Sequence, residues 1–223
     1  MTVISAHNPT AVGLLGGTFD PIHLGHLRLG WEALTQLKLD QLRLMPCHIP
    51  PHRDDPAGQA DHRLAMAKLA CESVPGFVVD DWEILRDSPS YSVETLKHVR
   101  QQIGAQTPLI FIMGMDAYRH FTHWHQWQEI LTIAHLWVAH RPGSPPPEEH
   151  SQEAELLTQH CAPTVNELLQ HPAGRIHIYS STALDISATV LRSDINNGIE
   201  PRFLLPDAVW QYIQDHKLYG YAD

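Results

Sequence analysis

Short apolar runs closed by glycine or proline alternate along the chain with stretches whose apolar residues recur every three or four positions. Val12-Gly13-Leu14-Leu15-Gly16 is the first such run and reads as a buried strand. Past the loop at residues 17–21, Leu24, Leu27, Trp31 and Leu34 fall at helical spacing. QLRLM at residues 41–45 alternates like a strand, and Pro46 with the Pro50-Pro51 pair turns it into a loop. Asp61 reads as the N-cap of a helix carrying Leu64, Ala67 and Leu69. Residues 77–80 read as a further strand. Ser92 reads as the cap of a helix striped by Leu96, Val99 and Ile103.

LIFIM at residues 109–113 is the strongest buried-strand signal, and it ends at Gly114. A second apolar run, Leu136-Trp137-Val138-Ala139, follows a stretch rich in aromatic residues and histidine. Strands alternating with helices in this way predict an α/β fold, a doubly wound parallel sheet of Rossmann-like type. Residues 143–150 (GSPPPEEH) read as an exposed loop, and residues 151–172 as helical but poorly patterned. A last strand is expected at residues 176–179, then helices at 187–196 and 207–216. No internal repeat is visible. The expectation is one domain over residues 1–223 with an exposed insertion around 143–174.

Composition narrows the function classes. Of 223 residues, 43% are hydrophobic and 18% charged, which suits a globular chain with a real core. The formal net charge is −10, and no basic stripe is present, which argues against nucleic acid as a partner. No apolar run approaches the roughly 18 residues needed to span a bilayer, and the N-terminus lacks the pattern of a signal peptide. Three cysteines without paired spacing read as reduced thiols of a cytoplasmic protein. The 17 histidines are dispersed, so only those inside a motif carry weight.

The informative string is GGTFDPIHLGH, residues 16–26, at the handover from the first strand to the first helix. Ligands of open parallel sheets gather at the carboxyl ends of strands, where helix N-termini attract phosphate. Gly16 and Gly17 let phosphate approach the backbone, and Thr18 adds a hydroxyl and an N–H donor. His23 and His26 are three apart and face one way on a first helical turn, with Gly25 leaving space between them. Two such imidazoles could also be polar surface, or part of a metal site. A third ligand at metal spacing is not evident, so no protein-held metal is expected.

In this context the string resembles the H-x-G-H signature of the nucleotidylyltransferase superfamily, in the form found in bacterial nicotinate-nucleotide adenylyltransferases. Further motifs resemble that family in the same order: Pro50-Pro51-His52-Arg53, Ser90-Tyr91-Ser92-Val93-Glu94-Thr95-Leu96, Gly114-Met115-Asp116, Thr122-His123-Trp124 and His140-Arg141-Pro142. Ile186-Ser187-Ala188-Thr189-Val190-Leu191-Arg192 resembles its second signature, I-S-x-T-x-x-R. Phe203-Leu204-Leu205-Pro206-Asp207 and His216-Lys217-Leu218-Tyr219 are similar to its closing segment. The resemblance spans nearly the whole chain except residues 143–174. Two departures are Cys47-His48, where the family often carries asparagines, and Ser92, where threonine is common.

The resemblance implies adenylyl transfer from ATP to a pyridine mononucleotide, nicotinate mononucleotide before its nicotinamide counterpart. It implies catalytic roles for His23, His26 and Arg192, and ATP phosphate contacts from Gly16, Gly17, Thr18, Phe19, Ser187 and Thr189. Tyr91, Ser92, Asp116, Trp124 and Arg141 are implied in acceptor binding, with Trp124 stacked on the pyridine. Magnesium is expected with ATP, held mainly by phosphates and water. A homo-oligomer is compatible with it. Asp20 either touches the metal shell or shapes the turn, the second being preferred. A non-catalytic nucleotide-binding module is the rival of another class, and loss of either histidine or of Arg192 would have favoured it.

Overall fold

The computed structural model describes residues 10–49, 56–140, 143–182 and 184–222. Strands β1 (Val12–Gly17), β2 (Gln41–Pro46), β3 (Phe77–Val79), β4 (Leu109–Gly114), β5 (His135–His140) and β6 (Ile176–Ser180) form one sheet. Its order is β3-β2-β1-β4-β5-β6, and every neighbouring pair is parallel. The strand order reverses between β1 and β4, so their carboxyl ends open the crevice where such sheets bind ligands. The helices are α1 (Leu24–Gln36), α2 (Ala60–Cys71), α3 (Ser92–Ile103), α4 (Met115–Tyr118), α5 (Trp127–Ile133), α6 (Gln152–His160), α7 (Val165–Leu169), α8 (Ala188–Asn196) and α9 (Asp207–Asp215).

Alternation along the strands splits the core into two layers. Leu42, Leu44, Ile110, Ile112 and Trp137 face α1, α2, α8 and α9 through Leu34, Met66, Leu191 and Ile213. Val12, Leu14, Phe111, Met113 and Val138 face the other way, onto Leu96 and Val99 of α3, Ile130 of α5 and Leu156 of α6. Both faces of the sheet are therefore covered, which is why its strands are apolar on both sides. Close approach of α1 needs Gly30, since a Cβ there would come within 2.7 Å of Leu42 and 3.0 Å of Phe77. Among the described residues no helix is long and apolar enough to cross a membrane.

Several local expectations shift. Gln59 and Tyr91, not Asp61 and Ser92, are the N-caps of α2 and α3, and neither caps through its side chain. Asp61 sits two positions and Ser92 one position past the cap, where Asp61 still favours the positive end of the helix dipole. Trp31 lies on the outer side of α1, 43% exposed, while Gly30, Ala33 and Leu34 face inward. The buried side of α2 is Arg63, Met66, Ala67, Ala70 and Cys71, with Leu64 and Leu69 half-buried. Residues 143–174 carry α6 and α7, which bury Leu156 and Leu168, while residues 145–150 are largely exposed.

Candidate active site

The glycine turn leaves β1 at Gly17 and enters α1 through a tight reversal. Phe19 adopts the left-handed region at φ 50°, and the Asp20–Pro21 peptide is cis. His23 is the extended N-cap of α1, with φ −143° and ψ 170°. Its backbone N–H donates to Nδ1 of His26 at 3.3 Å, and the two rings stack with centroids 3.7 Å apart. The Phe19 ring is buried and meets His26 edge-on at 5.0 Å. Any contact from Phe19 to a phosphate therefore comes from its backbone.

Burial lowers the His23 imidazole to about 4 and holds His26, which also feels His23, well below its ordinary value. Both rings are thus neutral at pH 7. Because His26 Nδ1 accepts a hydrogen bond, its single proton resides on Nε2, which makes that atom a donor. Nδ1 of His23 is buried and lacks a hydrogen-bond partner among the described residues. A Cβ on Gly25 would lie 3.0 Å from this Nδ1 and 3.1 Å from its neighbouring ring carbon. The glycine is what gives the His23 ring its place.

Asp20 shapes the turn. Its carboxylate accepts the Ala57 N–H at 2.9 Å, the Gly58 N–H at 3.0 Å and the Tyr219 hydroxyl at 2.7 Å. Arg192 of α8 donates from Nη1 to the Asp20 carbonyl at 2.7 Å and lies 3.7 Å from its carboxylate. The second signature is thereby held beside the first. Ser187 caps α8, its hydroxyl accepting the Val190 N–H at 3.5 Å, and Thr189 accepts from Arg192 Nη2 at 3.4 Å. The Arg192 side chain keeps 26% of its surface open, enough to present donors to an anion.

A fully buried cation lies behind the turn. Arg63 donates from Nη1 to the carbonyls of Thr18 at 2.7 Å and Cys47 at 2.6 Å. It also donates from Nη2 to the His48 carbonyl at 3.2 Å and from Nε to that of Gly58 at 3.1 Å. One guanidinium thus fixes the phosphate turn against the end of β2.

Gly16, Gly17 and Thr18 line a cleft of about 640 Å³ together with Tyr91, Ser92, Asp116 and Trp124. Phosphate-side and acceptor-side candidates therefore share one space. Trp124 packs edge-on against Phe111, with centroids 6.0 Å apart, and Tyr91 lies over His125 at 4.4 Å. Asp116 accepts the Ser144 hydroxyl at 3.0 Å. His23, His26, Ser187, Thr189 and Arg192 stand outside this lining, on the α1–α8 side of the turn. Arg141, and the Pro50-Pro51-His52-Arg53 motif, lie outside the described residues. The cleft adds Glu83, His120 and His125, which sequence reasoning did not single out, together with Cys47 and His123, which it named without assigning a role. Only the histidines left a signal, as part of the aromatic stretch. Among the described residues no group of three or more His, Cys, Asp or Glu side chains is placed to hold a metal.

A parallel sheet with a glycine turn and paired imidazoles at the carboxyl end of its first strand defines the nucleotidylyltransferase class of α/β fold. The chain belongs to the cytidylyltransferase-like family, whose model matches residues 14–193. It is 43% identical over 215 residues to the "Probable nicotinate-nucleotide adenylyltransferase" of Hahella chejuensis, covering 96% of this chain and 97% of that one. It is 47% identical over 208 residues to the protein of the same name from Aeromonas hydrophila, covering 93% and 96%. In fold it is similar to the Plasmodium falciparum nicotinic acid mononucleotide adenylyltransferase complexed with NaAD. The TM-score is 0.73 at 13% identity, covering 96% of this chain and 98% of that one.

Proposed function

We propose that the chain transfers the adenylyl group of ATP to nicotinate mononucleotide, giving nicotinate adenine dinucleotide and pyrophosphate, a step of NAD biosynthesis. The observation that carries this reading is the shared cleft, whose lining joins the glycine turn to Tyr91, Ser92, Asp116 and Trp124. Relatives that are 43% and 47% identical over nearly their full length, and carry this activity in their names, support it.

The reaction joins an acceptor phosphate oxygen to the α-phosphorus of ATP and breaks its bond to the bridging oxygen of pyrophosphate. A phosphate monoester has its second pKa near 6, so the nucleophile is already largely a dianion at neutral pH and needs no general base. Positioning and stabilisation of charge on the leaving group carry the acceleration. Neutral His23 and His26 donate to the triphosphate, and Arg192 supplies the permanent charge for the departing phosphates. The backbone of residues 16–19 and the hydroxyls of Ser187 and Thr189 complete the phosphate contacts. Tyr91 and Ser92 border the pyridine carboxylate, Trp124 stacks on the ring, Asp116 meets the ribose and Arg141 the acceptor phosphate. Magnesium brought by ATP would be held mainly by phosphate oxygens and water and would offset phosphate charge, since the turn's one carboxylate, Asp20, is engaged by two N–H groups and a hydroxyl.

Pyrophosphate release from ATP, measured with each acceptor, tests the reading. Nicotinate mononucleotide should support much faster release than the nicotinamide form. Equal rates would overturn the acceptor assignment, and no release with either would overturn adenylyl transfer itself.

A further inference from the structure

Glu83 sits in the turn after β3 and is 8% exposed, yet it borders the cleft. Its carboxylate accepts the hydroxyl of Thr95, a buried residue one turn into α3. The neighbouring Ser90 hydroxyl also favours the charged form of this carboxyl. Ser90 in turn accepts the His48 N–H at 3.0 Å, while its own N–H donates to the Ile49 carbonyl at 3.0 Å. A third link closes the loop: the Arg86 carbonyl is 2.6 Å from Nδ1 of His48, and the Arg86 N–H donates to the Glu83 carbonyl at 3.2 Å.

These bonds hold three segments in register: the end of β2, the turn carrying Glu83, and the start of α3. The start of α3 carries Tyr91 and Ser92, which line the cleft. Burial pushes the Glu83 carboxyl above its ordinary value, and the two hydroxyls draw it back.

We infer that Glu83 is a positioning residue for the acceptor: through Ser90 and Thr95 it sets the Ser90-Tyr91-Ser92 turn against residues 47–49 and so shapes the acceptor half of the cleft. The inference rests on the proposed reaction for its substrate, and on hydrogen bonding alone for its mechanism. It makes a one-sided claim. Loss of Glu83 disturbs the acceptor and spares ATP, because Arg63 and Asp20 hold the glycine turn through bonds that do not involve Glu83.

Steady-state kinetics of Glu83→Ala, Glu83→Gln and Thr95→Val test it, alongside amide hydrogen exchange of the free proteins. Glu83→Ala should raise KM for nicotinate mononucleotide about tenfold or more while KM for ATP stays within about twofold. Glu83→Gln, which keeps one oxygen as acceptor, should recover part of that loss, and Thr95→Val should show a smaller rise. Exchange at residues 90–93 should quicken in Glu83→Ala, with residues 16–18 unchanged. An unchanged acceptor KM, or a parallel rise in both KM values, would overturn the inference. Uniformly faster exchange would also overturn it by making Glu83 a general stabiliser. A wild-type protein inactive with this acceptor would sink the proposed reaction, while the exchange measurement would still decide the positioning role.

Discussion

At the scale of single residues, the site turns on where two imidazoles can stand. Gly25 leaves the His23 ring its room, and a methyl group there would press within about 3 Å of it. Alanine is the better helix former by roughly 1 kcal/mol, so Gly25→Ala should fold at least as well as the parent. Its turnover should nevertheless fall by about tenfold or more, which kinetics beside a thermal melt would reveal. Undiminished turnover would mean that the His23 ring position is immaterial.

Buried imidazoles also tie stability to pH. His23 and His135 titrate near 6.5 unfolded and about 4 folded. In His135, Nδ1 accepts the Arg175 N–H at 3.0 Å and Nε2 lies 2.7 Å from the His171 carbonyl, a pairing suited to the neutral ring. The unfolded chain therefore binds more protons between the two values. Stability should be full above pH 6.5, fall as pH drops toward about 4, and gain no further loss from these groups below that. Each unit of difference corresponds to about 1.4 kcal/mol per histidine. Urea melts at pH 7.5, 5.5 and 4 check this, and a His135→Gln variant should show a shallower fall.

The glycine turn and its histidines were legible in the sequence because they are local: one string of 11 residues contains the chemistry and its setting. Arg63 and Glu83 were not. The partners of Arg63 are backbone carbonyls, which carry no residue identity, some of them up to 45 positions away. A lone arginine in a helical pattern reads as surface, and only the folded chain places it under the turn.

At the scale of elements, Arg63 joins α2 to the turn after β1 and to the end of β2. Replacing it with methionine preserves bulk and leaves four carbonyls without this donor. Arg63→Met should cost about 3 kcal/mol or more in urea unfolding and lower kcat as well. A loss below about 1 kcal/mol would show that the carbonyls find other partners. Element types followed from apolar spacing, and helix starts were displaced by two residues at Asp61 and by one at Ser92. Side-chain type suggests a cap, whereas backbone geometry decides it: Tyr91 takes the extended conformation that ends the loop, at φ −80° and ψ 124°. Trp31 was misplaced because helical spacing does not tell which residue of a wide stripe faces the sheet.

At the scale of the whole molecule, strand order does what no single element can. Placing β1 beside β4 brings the glycine turn next to α4 and the segment after it, so that residues 16–18 border one cleft with Asp116, His120 and Trp124. The alternation of strands and helices predicted a doubly wound sheet, and the order of its strands emerges only from the pairings. The central claim is that the start of α1, with its two neutral imidazoles, grips the nucleoside triphosphate. A crystal structure with a non-hydrolysable ATP analogue tests it most directly. The account predicts Nε2 of His26 and a ring nitrogen of His23 at about 3 Å from phosphate oxygens, with the phosphates over Gly16 to Thr18. An analogue bound away from the turn, with both rings still stacked and directed elsewhere, would contradict it.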